Sequence, residues 1–174
     1  TNSGATASTI GLQTTASGVA STAMGRQTEA SGDYSTTLGY LTDAVGGTSI
    51  AMGRETEASG TYSTAIGYLT DAVGGTSIAM GRQTLANALY STAMGYLTTA
   101  SGEASTAMGY QTTASGDYST ALGYLTIANG GSTLAISNGV TFVNPGGNPP
   151  SSVVSYSIPS NNFVIKSKNH GLKK

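Results

Sequence analysis

Glycine recurs every fourteen residues over most of this chain, with no insertion or gap. Nine glycines occupy this column, from Gly11 to Gly123, and a large aliphatic residue precedes each of them. A second column is always Thr (Thr14 to Thr126) and a third is always Ala (Ala16 to Ala128). A strand rises ~3.3 Å per residue, so two short strands of about four or five residues and two turns use up fourteen residues. Helix pairs need repeats of more than about thirty residues, and Gly, Ser and Thr disfavour helix interiors. The period therefore predicts a flattened β-solenoid of two-stranded coils, stacked ~4.8 Å apart.

Alternation along the predicted strands assigns a direction to each column. Ser21 and Ala23 share one face of their strand, and Thr22 and Met24 share the other. The small residues fit between two strands that pack close together, so the large aliphatic column is predicted to face outward. A continuous apolar stripe along a thin rod is expected to be covered by another chain. The residues predicted to form this interface are Ile10, Met24, Leu38, Ile50, Met52, Ile66, Ile78, Met80, Met94, Met108, Leu122, Leu134 and Ile136.

The repeats also resemble a known family. Residues 105–124, STAMGYQTTASGDYSTALGY, are similar to the S-x-A-x-G and S-V-A-I-G repeats of the YadA-like heads of trimeric autotransporter adhesins, and the resemblance extends over residues 8–136. It implies an all-β, left-handed parallel β-roll of fourteen-residue coils, assembled side by side as a homotrimer. The large aliphatic residues would then lie in the trimer centre and the alanines inside each roll. One departure is that Thr, as at Thr22, usually replaces the Val of S-V-A-I-G.

The resemblance implies a function in attachment. We expect a surface-exposed trimeric fibre or adhesin head, extracellular or on a cell or virion surface, that acts as a rigid rod and contacts a host receptor, a matrix protein or a glycan. One alternative is a purely structural virion or appendage fibre without a receptor of its own, since similar repeats occur in such fibres. A minor alternative is an ice-binding solenoid, because the regular row from Thr14 to Thr126 could order water.

The chain divides into two parts by sequence. Residues 1–136 form the predicted repeat domain, and residues 137–174 lack the repeat and any heptads. GVTFV, SVVSYSI and NNFVIK in this second part are typical of short strands. We therefore expect a small C-terminal β cap or attachment segment that contacts another part of the fibre or particle. Its four Lys and absence of acids contrast with the eight acids and three Arg of residues 1–129.

Composition argues against several other classes of function. There is no Cys, only 9% of residues are charged and the net charge is −1, so no disulfide, Cys-based metal site or nucleic-acid interface is expected. No apolar run approaches eighteen residues, and no signal peptide is recognised at the start. His170 is the only His, and no base accompanies the serines, so we expect neither an enzyme nor a cofactor.

One interpretation of the acidic column is a ladder that binds cations. Glu29, Asp43, Glu57 and Asp71 follow one another in successive coils, and hard cations prefer carboxylates. The alternative is that Arg26, Arg54 and Arg82, three positions earlier in their coils, balance the acids.

Tyrosine shows a second period of 28 residues, which indicates duplication by two-coil units. The Tyr residues form either a ladder that binds sugars or another surface, or a stack that shields the turns. The two sets are Tyr34, Tyr62, Tyr90 and Tyr118, and Tyr40, Tyr68, Tyr96 and Tyr124.

Overall fold

The protein is an all-β parallel solenoid in a computed structural model that describes the backbone of residues 1–138, 141–142 and 154–156 and the side chains of residues 1–136. The described residues contain no helix. In chain order the strands are β1 (Ser8–Leu12), β2 (Thr15–Ala16), β3 (Thr22–Arg26), β4 (Glu29–Ala30), β5 (Thr36–Ala44), β6 (Ile50–Ala58), β7 (Thr64–Ala72), β8 (Ile78–Ala86), β9 (Thr92–Tyr96), β10 (Thr99–Ala100), β11 (Thr106–Tyr110), β12 (Thr113–Ala114), β13 (Thr120–Tyr124), β14 (Ile127–Ala128), β15 (Leu134–Asn138), β16 (Thr141–Phe142) and β17 (Val154–Tyr156).

Each coil pairs in parallel with the next at a shift of fourteen residues. Met24 lies opposite Leu38 on one side of the coil, and Glu29 lies opposite Asp43 on the other. The predicted period and direction of stacking are therefore confirmed. We call residues 22–26 and their equivalents the long face, and residues 28–30 and their equivalents the short face. The short face is shorter than predicted, since strands such as β4 span two residues. In the central coils β5 to β8 the two faces join into one nine-residue strand.

Two corners connect the faces. The first corner, residues 25–27 and equivalents, combines a glycine such as Gly25 at φ 127° with a left-handed residue such as Gln27 at φ 55°. The second corner, residues 31–35 and equivalents, places Tyr34 at φ 58°. Glycine is required at the first corner because the coils approach so closely. A Cβ on Gly67, which has φ 139°, would lie 1.9 Å from the carbonyl oxygen of Gly81.

The interior is built from small residues alone. All buried apolar residues among those described are alanines, most of them with no exposed surface. The Ser21 and Thr28 columns are also buried, with exposed fractions of 5% or less. The alternation predicted from the sequence is thus confirmed. Thr37 interrupts an Ala column, and its buried hydroxyl has no hydrogen-bond partner.

The coil register continues beyond residue 136. Strand β15 extends to Asn138, and β16 pairs with β14 at the same fourteen-residue shift. Strand β17 then pairs with β15, with Val154 opposite Leu134. Strands β16 and β17 lie within two of the three segments predicted as strands. The third segment, the lysines and His170 lie outside the described residues, and the division into two domains stays a prediction.

Candidate interaction surfaces

The large aliphatic column forms an outward stripe on the long face. Met52 and Ile66 are half-buried, and Leu38 and Met108 are exposed. Ile50 and Ile78 join the stripe at the neighbouring outward column, with about two fifths of each side chain exposed. The outward direction predicted for these residues is confirmed. Their role as an interface between chains stays a prediction, because a single chain is described.

The first corner carries a continuous stack of Arg and Tyr side chains. The guanidinium of Arg54 lies 5.8 Å from the ring centroid of Tyr40 and 5.2 Å from that of Tyr68, distances typical of cation–π contacts. Arg26 and Arg82 extend the same ladder. The residues of the stack are Arg26, Tyr40, Arg54, Tyr68, Arg82, Tyr96, Tyr110 and Tyr124.

Tyrosine stacking completes the ladder where arginine is absent. The rings of Tyr96 and Tyr110 are 5.0 Å apart, as are those of Tyr110 and Tyr124. Tyr110 was overlooked at the sequence level because it breaks the period of 28 residues, although it lies in the same fourteen-residue column. The observed contacts of this set of tyrosines are those of a stack, the second of the two interpretations of the sequence.

The tyrosines of the second corner are not part of this stack. Tyr34, Tyr62 and Tyr118 each have about 63% of their surface exposed, and Tyr90 has 55%. Asp33 stabilises this corner, because its carboxylate accepts a hydrogen bond from the Val19 backbone N–H at 2.8 Å. The sequence could not separate the two Tyr sets, because both have the same period.

The acidic column lies on the short face. Glu29, Asp43, Glu57 and Asp71 are exposed and directly opposite one another in successive coils. Partial burial raises the pKa of Asp43 above its ordinary value of 3.8, and the charges of Glu29 and Glu57 raise it further. Burial and the charge of Glu57 likewise raise the pKa of Asp71.

The arginines do not balance this column as expected. Arg54 forms an ion pair with Glu55 (Nε–Oε1 2.8 Å), which is outside the column. The arginine side chains instead stack on tyrosine rings at the first corner. The left-handed residue between the two faces turns the chain. An arginine and the acidic residue three positions after it therefore lie on different sides of the corner. Among the described residues, no three His, Cys, Asp or Glu side chains come together in a way that could hold a metal ion.

The family follows from the repeat itself. Residues 16–42, 44–70, 72–98 and 100–126 match the family model described as the YadA head domain repeat, two copies. These four matches cover more than half of the chain and begin at intervals of 28 residues. The chain belongs to the YadA head family. The resemblance drawn from the sequence is thereby confirmed, and the two-coil unit agrees with the 28-residue Tyr period. No curated protein matches this chain.

The YadA head family and the burial of the Thr row bear on two of the function classes, catalysis and ice binding. The family consists of structural, adhesin-type repeats rather than enzymes. The Thr row from Thr14 to Thr126, which the ice-binding alternative requires, lies inside the roll with at most 5% exposure. That row cannot contact ice. The part of the chain that the structure describes contains no helix long and apolar enough to cross a membrane.

Proposed function

We propose that this YadA head is a rod in which three chains pack side by side through the long-face stripe, displayed on an outer surface for attachment. The observation that supports this most is the distribution of apolar residues. Within the described residues the interior holds only alanine as an apolar residue, while Met, Ile and Leu lie on the outside. A stripe of that length favours coverage by an identical chain, whose stripe has the same spacing.

The proposed mechanism of attachment is geometric. The inner columns hold each coil in register, and the outer columns repeat the same contacts along the rod. Three parallel chains would present each weak contact in several copies, and simultaneous contacts raise the overall affinity. The proposed location is the surface of a cell or a particle, and the proposed partner is a host receptor, a matrix protein or a glycan.

A binding experiment separates attachment from a purely structural role. The purified chain is tested against arrays of glycans and matrix proteins, with a variant in which outward residues of one corner are replaced as the control. Attachment predicts saturable binding to at least one array member that the variant loses. A folded assembly that binds no member would instead support a fibre without its own receptor.

A further inference from the structure

The second corner forms a regular row of separate aromatic platforms. Tyr34, Tyr62, Tyr90 and Tyr118 are two coils apart, which places successive Cα atoms ~9.6 Å from each other. Stacked aromatic pairs need ring centroids within about 7 Å, so these rings are spaced too widely to cover one another. Their exposed fractions of 55–64% leave more than half of each tyrosine accessible to a ligand.

Small residues keep the spaces between these platforms open. Thr48 lies between Tyr34 and Tyr62 and is preceded in the chain by Gly47, and Thr76, preceded by Gly75, occupies the same position in the next two-coil unit. Both threonines are exposed. We call each such space a notch. The repeated VGGT sequence supplies the floor of both notches.

The glycines in the notches are not required by coil stacking. A Cβ on Gly47 would come no closer than 4.0 Å to its neighbours, whereas a Cβ on Gly60 would lie 2.1 Å from the carbonyl oxygen of Gly74. At Gly75 the nearest atom, at 3.0 Å, is the terminal Cδ1 of the Leu89 side chain. Neither notch glycine has a left-handed φ. At Gly47 the effect of glycine is therefore to leave open space beside Thr48, whereas at Gly75 the glycine makes room for the Leu89 side chain.

The charges at this corner favour an uncharged ligand. Asp33 and Asp117 lie beside the tyrosines, and each accepts a backbone hydrogen bond from the preceding coil. The three arginines of residues 1–136 all lie at the first corner. An anionic polymer would meet carboxylates of its own sign, which disfavours its binding.

We propose that the second corner binds an extended, uncharged polysaccharide. The apolar faces of its sugar rings lie on Tyr34, Tyr62 and Tyr90, and its hydroxyl groups meet the Thr48 and Thr76 hydroxyls in the notches. The two-coil spacing is close to the length of a disaccharide unit in an extended glycan, so one chain contacts successive platforms in register. The proposal rests on the proposed function only in that the rod displays this corner for attachment.

Isothermal titration calorimetry with cellohexaose and chitohexaose tests the proposal on the full chain. We expect at least one of them to bind, and to bind more tightly than its disaccharide, because several platforms act together. Tyr62→Ala is expected to weaken binding by about tenfold or more, equivalent to ~1.4 kcal/mol. Gly47→Leu fills one notch without a backbone clash and is expected to weaken binding to a similar degree.

Tyr68→Ala at the first corner is the matched control, and it should leave the affinity unchanged. The proposal is overturned if neither hexasaccharide binds, if the disaccharide binds as tightly as the hexasaccharide, or if Tyr62→Ala and Gly47→Leu bind as the unmodified chain does. Preference for a heparin hexasaccharide would also overturn it. Sedimentation of the same samples reports assembly separately, so a rod that assembles but binds no sugar contradicts this inference alone.

Discussion

The two faces of each coil share one interior and differ on the outside. Both faces direct alanine inward, as at Ala23 on the long face and Ala30 on the short face, with no exposed surface at either. Outward, the long face presents Met, Ile and Leu, whereas the short face presents carboxylates such as Asp43 and Glu57. Coil stacking thus determines which residues the inner columns contain. The residues of the outer columns can instead differ with the surroundings of each face.

This difference indicates separate roles for the faces. Carboxylates one coil apart repel one another modestly in water and more strongly when buried, so the acidic face favours solvent. The aliphatic stripe favours coverage. Substitutions on either face should therefore have very different effects on assembly and stability.

Replacing Met52 by Asp should abolish assembly through the long face. Three carboxylates would be buried at the centre of the proposed trimer, at a cost of about 5 kcal/mol or more. Analytical ultracentrifugation is expected to show loss of the assembled species at micromolar concentration. Glu57→Gln, in the same coil on the short face, is the control and should leave the sedimenting mass unchanged. An assembly that tolerates Met52→Asp as well as Glu57→Gln would contradict the contrast between faces.

Replacing Gly67 by Ala should damage the corner that joins the faces. The new Cβ would occupy the space of the Gly81 carbonyl oxygen at a left-handed φ, and we expect a loss of about 3 kcal/mol or more. Denaturant unfolding followed by circular dichroism measures this. Gly47→Ala is the same substitution where the Cβ has room, and it should change stability by less than about 0.5 kcal/mol. Equal losses of stability for the two variants would show that the close approach of the coils is not the reason for glycine at position 67.

Replacing Thr37 by Ala should stabilise the long face. The substitution removes a buried hydroxyl without a partner and restores the residue found at the equivalent positions Ala23 and Ala51. We expect a gain of about 1 kcal/mol, measured as a higher denaturation midpoint with an unchanged slope. Thr36→Ala changes the neighbouring outward residue and serves as the control, with little expected effect. A destabilised Thr37→Ala variant would mean that lost packing outweighs the unpaired hydroxyl.

The short face should gain stability in mild acid. The pKa values of Asp43 and Asp71 are raised in the folded chain, so the folded state binds protons more tightly than the unfolded state. Stability attributable to these groups therefore rises as the pH falls from neutral through the folded pKa values towards 3.8, and it is lower above them.

The double variant Asp43→Asn, Asp71→Asn isolates this effect from the other carboxylates. At neutral pH its melting temperature should exceed that of the unmodified chain, by an amount equivalent to about 0.5 kcal/mol. The difference should shrink as the pH approaches 4. Melting curves recorded across this range give both values, and parallel pH profiles for the two chains would rule out the expected coupling.

Much of the fold could be predicted from the columns. A fourteen-residue period that never shifts determines which residues lie opposite each other, so the pairing of Met24 with Leu38 follows directly. Alternation then determines that Ala23 and Ala30 lie inside. The length of the short face could not be obtained this way, because the left-handed residues at Gln27 and Tyr34 turn the chain and leave few residues between them for a strand.

The surfaces were harder to predict than the interior. Arg54 shares a column with Tyr40 and Tyr68, but a column gives position and not partner. A Tyr stack is therefore predictable from the sequence, whereas the stacking of the arginines on it is not, and the prediction that the arginines offset the acids is wrong. Only the three-dimensional course of the corner separates the arginines from Asp43. The two Tyr sets likewise differ in what the intervening coils supply, which is Arg54 and Arg82 between the stacked tyrosines and Thr48 and Thr76 between the tyrosines of the second corner.

The mass of the unmodified chain in solution tests the central claim most directly. Sedimentation equilibrium over a range from nanomolar to micromolar concentration gives that mass without reference to shape. Side-by-side packing through the long-face stripe predicts a species of three times the 17.3 kDa chain, with folding and assembly lost together on dilution or denaturation. A stable, folded species of 17.3 kDa at micromolar concentration would contradict it.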